Sequence, residues 1–316
     1  MKHLVANAPA GLGVPVLTAT AAEFRPSLHE QVVHYVRSVQ ERAAIKAQFV
    51  WCLIDHVHVV AQCVLSGCSL AVFGSYATGL CLDSSDVDLQ LSHPRCTSRK
   101  AVQRACFDLH KQLAELPWVT SSKCIATAAI PVVKVQASLA VLTGCSFAGS
   151  VDVDISIDDS CGSHLGQSSL ELTQQLLAQY PALPSVAIVL KTLLTSHDLN
   201  SSYRGGLSSY SLLLWIVAVL NETHCGAEDT GALLMRVLEF YGTQFTPETT
   251  GIDISQGRGF FECPTESGVY TVDPVKTSNN ATKSSYKVAE VLQVFRQAYH
   301  SLLSTQRLLS SIIRLN

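Results

Sequence analysis

The segment that decides the fold reads Phe73-Gly74-Ser75-Tyr76-Ala77-Thr78-Gly79, followed a few residues later by Ser85-Asp86-Val87-Asp88-Leu89. Two carboxylates separated by one residue on a β-strand point to the same face, because side chains alternate with a period of two. Asp86 and Asp88 are therefore predicted to bind the same cations. The Gly74-Ser75 pair closes the preceding apolar strand and offers unshielded backbone N–H groups and a hydroxyl to phosphate oxygens.

Hydrophobic periodicity builds these strands into an α+β unit. Apolar residues recur at helical spacing from residue 27 to about 68, with a break expected at Glu41 and Arg42. Strands are predicted at 70–73, 87–91, 130–135 and 151–157, and a helix at 101–116. Beyond Asp159 the pattern changes to helices at 169–180, 185–195, 208–221, 232–241 and 285–313. With 316 residues, 47% of them apolar, the chain is predicted to form two domains.

The strand predicted at 151–157 and the residue after it carry three acids on one face, Asp152, Asp154 and Asp158. Periodicity alone does not choose among them. A D-x-D pair by itself is also a weak signal, since most such pairs are solvated acids. The combination of Gly-Ser, Thr-Gly, Ser-Asp-x-Asp-Leu and a later acid on an alternating strand is more specific. It resembles the nucleotidyltransferase signature of the DNA polymerase β superfamily.

This resemblance implies that Asp154, within the segment V-D-I-S, is the third carboxylate, and that Asp152 and Asp158 are exposed acids at the rim. It further implies that Asp86 and Asp88 bridge two Mg²⁺ ions, for which Mn²⁺ can substitute, and that Asp154 joins at the ion that activates the primer 3′-OH. Two such ions, about 3.5–4 Å apart, stabilise the attacking and leaving oxygens of an in-line displacement. Carboxylate oxygens are the hard ligands that Mg²⁺ requires.

Motifs in the second half of the chain narrow the resemblance to one branch of the superfamily. It contains, in order, Tyr180-Pro181, Leu190-Lys191, Asp198-Leu199-Asn200, Gly205-Gly206-Leu207-Ser208-Ser209-Tyr210, Glu239-Phe240-Tyr241-Gly242 and Asn279-Asn280. These motifs look like the central domain of the non-canonical poly(A) polymerases and terminal uridylyltransferases, nearest to the nuclear exosome-adaptor type. The resemblance runs from about Pro26 to the end of the sequence.

The family's nucleotide contacts can be carried onto matching residues. The resemblance implies that Gly74 and Ser75 bind phosphates, that Lys191 and Ser209 bind the triphosphate, and that Tyr210 stacks on the base. An aromatic ring contributes about 1–3 kcal/mol of stacking per base, with little sequence discrimination. A lysine on an apolar helix is otherwise a snorkelling surface residue, and a tyrosine an ordinary core aromatic.

Base choice is expected from the loop at 273–285. The resemblance implies that Asn279, where uridylyl-preferring members carry histidine, favours adenine, because an amide is both donor and acceptor. Lys283 is the second implied contact. The chain departs from the family here, because it has Ala281-Thr282-Lys283-Ser284-Ser285 in place of Val-Gly-Arg-Ser-Ser. This change alters the loop and removes a planar guanidinium.

The resemblance implies an α+β fold in which residues 46–160 form a polymerase β-like nucleotidyltransferase domain, with a mixed sheet and flanking helices. Residues 26–45 and 161–316 are expected to form a mainly helical central domain, with the nucleotide cleft between the two. The predicted function is template-independent addition of adenylates from ATP to an RNA 3′ end by a two-metal mechanism. A terminal uridylyltransferase and a catalytically inactive scaffold of the same fold remain alternatives.

Charge and composition bear on partners and location. Acidic residues outnumber basic ones by 25 to 22, so the chain has no general attraction for RNA. By analogy with the nuclear type, we expect an RNA-binding partner of the zinc-knuckle kind, a role in RNA surveillance and a nuclear rather than cytoplasmic location. The eleven cysteines form no zinc-ligand spacing and indicate reduced thiols inside the cell.

The remaining sequence features argue against a membrane protein. Residues 4–22 carry no charge, but prolines and glycines interrupt them, so a flexible arm at 1–25 is predicted rather than a signal peptide. The best apolar run elsewhere, 212–220, is much shorter than the ~20 residues that span a bilayer.

Overall fold

A computed structural model describes residues 25–128, 130–158, 166–223, 228–264 and 268–314. Its central feature is a five-stranded mixed sheet in the order β1-β2-β5-β4-β3. The strands are β1 (Ser69–Phe73), β2 (Val87–Ser92), β3 (Val119–Ile125), β4 (Val132–Ser138) and β5 (Ser150–Asp158). Only β2 and β5 pair in parallel, while the other neighbours are antiparallel. The fold is the α+β class that the sequence predicts.

Helices surround this sheet and continue beyond it. They are α1 (Leu28–Val64), α2 (Gly74–Thr78), α3 (Arg99–Ala114), α4 (Leu139–Thr143), α5 (Gly166–Gln179), α6 (Leu183–Thr195), α7 (Ser209–Thr223), α8 (Thr230–Glu239) and α9 (Val288–Ser304). Two small hairpins stand among the later helices, β6 (Thr250–Ile252) with β7 (Phe260–Glu262), and β8 (Val272–Asp273) with β9 (Lys276–Asn280).

Helix α1 is continuous, so the break expected at Glu41 and Arg42 is wrong. Both residue types are good helix formers, and Arg42 also bonds Asp83 at 3.0 Å. The helix begins at a reciprocal cap, in which Ser27 and Glu30 each accept a hydrogen bond from the other's backbone N–H.

The buried apolar residues form two clusters, and α1 contributes to both. The first cluster contains α1 residues up to Val39 together with α6 to α9. The second contains α1 residues from Val50 onward, α3 and the inner face of the sheet. The division into domains at residues 46 and 160 stays a prediction, and residues 1–24 of the predicted arm lie outside the described residues.

Part of the apolar composition of α1 is explained by these contacts. By length and composition α1 could cross a membrane, and so could α5 with α6 if that bent pair were one span. In the fold, Val32, Leu53 and Val57 of α1 are fully buried against other elements. A helix that connects two cores needs an apolar stripe along most of its length.

Strand β3 and the end of one helix differ from the prediction made from the sequence. β3 lies at the sheet edge and reads V-T-S-S-K-C-I, without the apolar alternation that predicts a strand. The helix expected to run to residue 313 ends at Ser304, because Gln306 and Arg307 take positive φ angles of 54° and 66°. The two hairpins after α8 are also absent from the prediction.

Candidate active site

A cavity with a volume of about 720 Å³ lies where the sheet meets the later helices. This volume is within the range of roughly 300–1,000 Å³ that is usual for ligand pockets. Residues of α2, β2 and β5 form one wall, and residues of α5, α6 and α7 form the other. Eight of the residues predicted to act on the nucleotide or metal line it: Gly74, Ser75, Asp86, Asp88, Asp154, Lys191, Ser209 and Tyr210.

Three carboxylates converge on one side of this cavity. Asp88 on β2 pairs directly with Asp154 on the parallel strand β5, and Asp86 lies two residues before Asp88 on the same face. One ligand oxygen from each of the three lies within 4.8 Å of the others. This donor set of hard oxygen atoms fits a divalent cation such as Mg²⁺.

The electrostatics of the cluster also favour a cation. Burial, followed by the charges of Asp86 and Asp154, raises the pKa of Asp88 to about 7. Burial also raises the pKa of Asp154, although a hydrogen bond from Lys134 opposes this shift. Like charges held close together in a buried site repel, and a bound divalent cation relieves that repulsion.

Position 74 requires glycine, because a side chain there would collide with Asp88. It has a φ of +64°, and a Cβ atom there would lie 2.1 Å from Oδ2 of Asp88. The chain therefore turns from β1 into the short helix α2 with its backbone against the Asp88 carboxylate. Ser75, the next residue, is buried in the cavity wall.

Lys191 is buried, so the snorkelling alternative does not describe it. Its Nζ donates to the Ser85 hydroxyl at 3.0 Å and to the Leu80 carbonyl at 3.2 Å. Burial lowers the pKa of Lys191, and the charge of Asp86 is the largest opposing influence. A buried ammonium group held by neutral partners beside the cavity is available to an anionic ligand.

The Tyr210 ring lies on the cavity wall, and a carboxylate behind it fixes its hydroxyl. The Tyr210 hydroxyl donates to Oδ1 of Asp273 at 2.9 Å, and Nδ2 of Asn279 donates to Oδ2 of the same carboxylate at 2.9 Å. Burial raises the pKa of Tyr210, and Asp273 raises it further. Asn279 is not part of the described cavity lining, and it is linked to the cavity through Asp273 and then Tyr210.

Lys283 does not line the described cavity. Its neighbour Thr282 turns inward, where the hydroxyl donates to the Val269 carbonyl at 2.8 Å and contacts the side chain of Asn280 at 2.8 Å. The side chain of Lys283 is therefore exposed. The departure from the family's loop sequence coincides with this outward position.

Lys134 is a residue of the site that was not predicted from the sequence. Its ammonium group forms an ion pair with Asp154 across the antiparallel pair of β4 and β5, and it lines the cavity. A lysine within the alternating segment V-V-K-V was the available signal. Asp152 is exposed at the cavity, as expected, whereas the expectation of an exposed Asp158 is wrong. Asp158 ends β5, away from the cavity, and one of its oxygens is buried.

A family model of the central palm domain of mitochondrial-like poly(A) RNA polymerase matches residues 28–168. The chain is 27% identical to the poly(A) RNA polymerase cid14 of Schizosaccharomyces pombe, over 90% of this chain and 42% of that protein. It is 26% identical to the inactive non-canonical poly(A) RNA polymerase protein Trf4-2 of Drosophila melanogaster, over 92% of this chain and 70% of that protein. The chain thus spans less than half the length of the fission yeast relative.

Solved structures share the fold. The polymerase core of TRAMP, an RNA surveillance complex, superposes with a TM-score of 0.73 and 20% identity, covering 91% of this chain and 94% of that one. The Cid1 poly(U) polymerase superposes with a TM-score of 0.71 and 17% identity, covering 91% of this chain and all of that one.

Proposed function

Since the chain belongs to the family of non-canonical poly(A) RNA polymerases, we propose that it adds nucleotides to the 3′ end of an RNA without a template. The proposed reaction is ATP plus RNA of n nucleotides, giving RNA of n + 1 nucleotides and pyrophosphate. The observation that carries this proposal is the convergence of Asp86, Asp88 and Asp154 at one cavity.

Eight residues of the cavity have a part in the proposed reaction. Asp86, Asp88 and Asp154 would hold two Mg²⁺ ions, which supply charge neutralisation at the attacking and leaving oxygens. Gly74, Ser75, Lys191 and Ser209 would hold the triphosphate, and the Tyr210 ring would stack on the base. Asp154 would accept the proton of the primer 3′-OH. Positioning and charge neutralisation account for most of the catalysis in phosphoryl transfer.

We propose ATP as the preferred nucleotide, on the basis of Asn279. Its amide is held by Asp273, which also holds Tyr210, so the base platform and the base-selecting residue share one anchor. A terminal uridylyltransferase is the second candidate, since the Cid1 poly(U) polymerase has the same fold.

An inactive scaffold is the third candidate, because one similar protein is named as inactive. The three carboxylates, the close approach of Gly74 to Asp88 and the buried Lys191 favour an active site over a scaffold. A cluster of like charges, two of them partly buried, is costly to keep unless a cation binds it.

We further propose that the chain works with an RNA-binding partner of the zinc-knuckle type in the nucleus. The sequence has a net charge of −3 and therefore little general affinity for RNA. One structure with the same fold is the polymerase core of an RNA surveillance complex. Co-purification of the tagged chain from nuclear extract, followed by identification of the bound proteins, tests this assignment.

Extension of a labelled RNA primer with each of ATP, UTP, CTP and GTP, in Mg²⁺ or Mn²⁺, tests the proposed activity. We expect adenylate addition, and its loss in Asp86→Ala with Asp88→Ala. The matched control is Asp55→Ala with Asp108→Ala, two exposed acids on α1 and α3 that carry the same charge change. A preference for UTP would identify the chain as a terminal uridylyltransferase. Activity in the Asp86/Asp88 double variant would refute the mechanism.

A further inference from the structure

Two tyrosine rings at the rim of the cavity are left in solvent, and the nucleotide contacts do not account for them. Tyr203 is 86% exposed and Tyr286 is 72% exposed. Tyr203 and Arg204 both line the cavity. The Tyr286 ring lies against Gly205, where a Cβ atom would meet the ring at 2.4 Å. The two exposed rings thus flank Arg204 and Gly205.

Backbone hydrogen bonds hold this rim in one conformation. The Leu207 N–H donates to the Leu199 carbonyl at 2.8 Å, and the Gly206 N–H donates to the Ser201 carbonyl at 2.9 Å. A third bond, from the Lys287 N–H to the Gly205 carbonyl at 2.8 Å, fastens the loop to the segment that carries Tyr286. The rings are therefore presented on a fixed support, which lowers the entropy cost of binding a ligand.

Arg204 places a positive charge at the same rim. Arg204 pairs with Asp198 at 3.6 Å, but both side chains are mainly exposed, and such surface pairs contribute only ~0–1 kcal/mol. The guanidinium can therefore exchange Asp198 for a phosphate. Lys283 and Lys287 flank Tyr286 in the sequence, and Lys283 is exposed. Aromatic rings among cations are the typical surface for single-stranded nucleic acid.

We propose that Tyr203 and Tyr286 form a stacking platform for the nucleotides that precede the 3′ end of the RNA primer, with Arg204 contacting a backbone phosphate. Only the terminal nucleotide can reach the carboxylates inside the cavity, so the preceding ones must cross its rim. Tyr203 stands on that rim and lines the same cavity as Asp86 and Asp154. Because every base has a flat face, the platform accepts any sequence. The identification of the ligand as RNA rests on the proposed function.

Fluorescence anisotropy with a labelled oligoadenylate and a labelled mixed-sequence RNA tests the platform. The full chain is used with Ca²⁺ in place of Mg²⁺, so that binding is measured without turnover. We expect Tyr203→Ala to raise the Kd for both RNAs by about five- to one-hundred-fold, as loss of one stacked base predicts. Tyr203→Phe, which keeps the ring, should bind like the wild type. Phe107→Ala, an exposed aromatic on α3 outside the described cavity lining, should also bind like the wild type.

The outcomes separate this inference from the proposed activity. An unchanged Kd for Tyr203→Ala, an equal loss in Phe107→Ala, or no RNA binding by the wild-type chain would overturn the platform. If the wild type binds RNA through Tyr203 but extends no primer, the proposed activity fails and the platform stands. The ATP-induced rise in melting temperature should be the same in Tyr203→Ala and wild type, which shows that the variant is folded with an intact nucleotide site.

Discussion

The carboxylate cluster lines the cavity and the loop at 273–285 is linked to it through Tyr210, but the two regions are positioned by different means. Asp88 and Asp154 are fixed by the register of two parallel strands, so the alternation of side chains decides where they point. Tyr210 and Asn279 are fixed by hydrogen bonds to the buried Asp273. The strand register should therefore tolerate a change of side chain. The positions of Tyr210 and Asn279 depend instead on one buried residue, Asp273, which we call the polar hub.

The substitution with the largest expected effect, Gly74→Ala, tests the carboxylate cluster. In Gly74→Ala the new Cβ would lie 2.1 Å from the Asp88 carboxylate, and the residue would keep a positive φ. Strain and overpacking together should lower the free energy of unfolding by about 2–4 kcal/mol, and primer extension should be lost. Urea unfolding and the extension assay measure the two effects.

Gly79→Ala is the matched control for that substitution. Gly79 has a similar φ of +72°, but a Cβ there would meet nothing within 4 Å. It should lose only about 1–2 kcal/mol from backbone strain and keep its activity. Equal losses in both variants would mean that the approach to Asp88 has no special role.

The pH dependence of stability should also originate in the carboxylate cluster. The folded chain holds the Asp88 proton up to about pH 7, whereas an unperturbed carboxyl releases it near 3.8. Between these values the folded chain binds more protons, so its free energy of unfolding should fall as pH rises from about 4 to about 7. With a chelator present to remove metal ions, the free energy of unfolding should fall by on the order of a few kcal/mol over this pH range. Asp88→Asn should remove most of this decrease. A variant with the wild-type slope would show that Asp88 is not the group responsible.

Tyr210→Phe tests the polar hub with a smaller change. It removes a hydrogen bond to the buried Asp273 carboxylate, and bonds to charged groups contribute about 1.5–3 kcal/mol. Tyr35→Phe removes a bond from a hydroxyl to the neutral Thr192 side chain at 3.1 Å, and should cost only about 0.5–1.5 kcal/mol. We expect Tyr210→Phe alone to raise the KM for ATP. Equal effects of the two substitutions in urea unfolding and in KM would remove the special role of the hub.

The smallest effect is expected at Lys283. Its side chain is exposed and does not line the cavity, so Lys283→Ala should change the free energy of unfolding by less than about 0.5 kcal/mol. The ratio of kcat/KM for ATP and UTP should stay close to that of the wild type. A tenfold change in that ratio would mean that the loop moves to bring Lys283 against the base.

Much of the fold and of the acidic cluster could be predicted because local sequence determines them. The alternating segments predict β2 and β5. The spacing of Asp86 and Asp88 predicts that both side chains lie on one face, because side chains alternate along a strand. The choice of Asp154 over Asp152 needed the family resemblance, because periodicity places both on one face. The role of Asp154 in the reaction stays a prediction.

Other features depend on tertiary contacts that periodicity cannot reveal. The edge strand β3 has a polar sequence and is defined by its pairing with β4. The contact of Lys134 with Asp154 requires knowledge of which strands are neighbours. The inward turn of Thr282, which leaves Lys283 outside, depends on buried partners at Val269 and Thr271.

Binding of Mn²⁺, followed by electron paramagnetic resonance, tests the central claim most directly, because it does not depend on the nucleotide or the RNA. We predict that the wild-type chain binds the ion and that Asp154→Ala and Asp88→Ala each lose most of that affinity, while Asp108→Ala binds like the wild type. Wild-type affinity in Asp154→Ala would contradict the claim that carboxylates from two strands form one metal site.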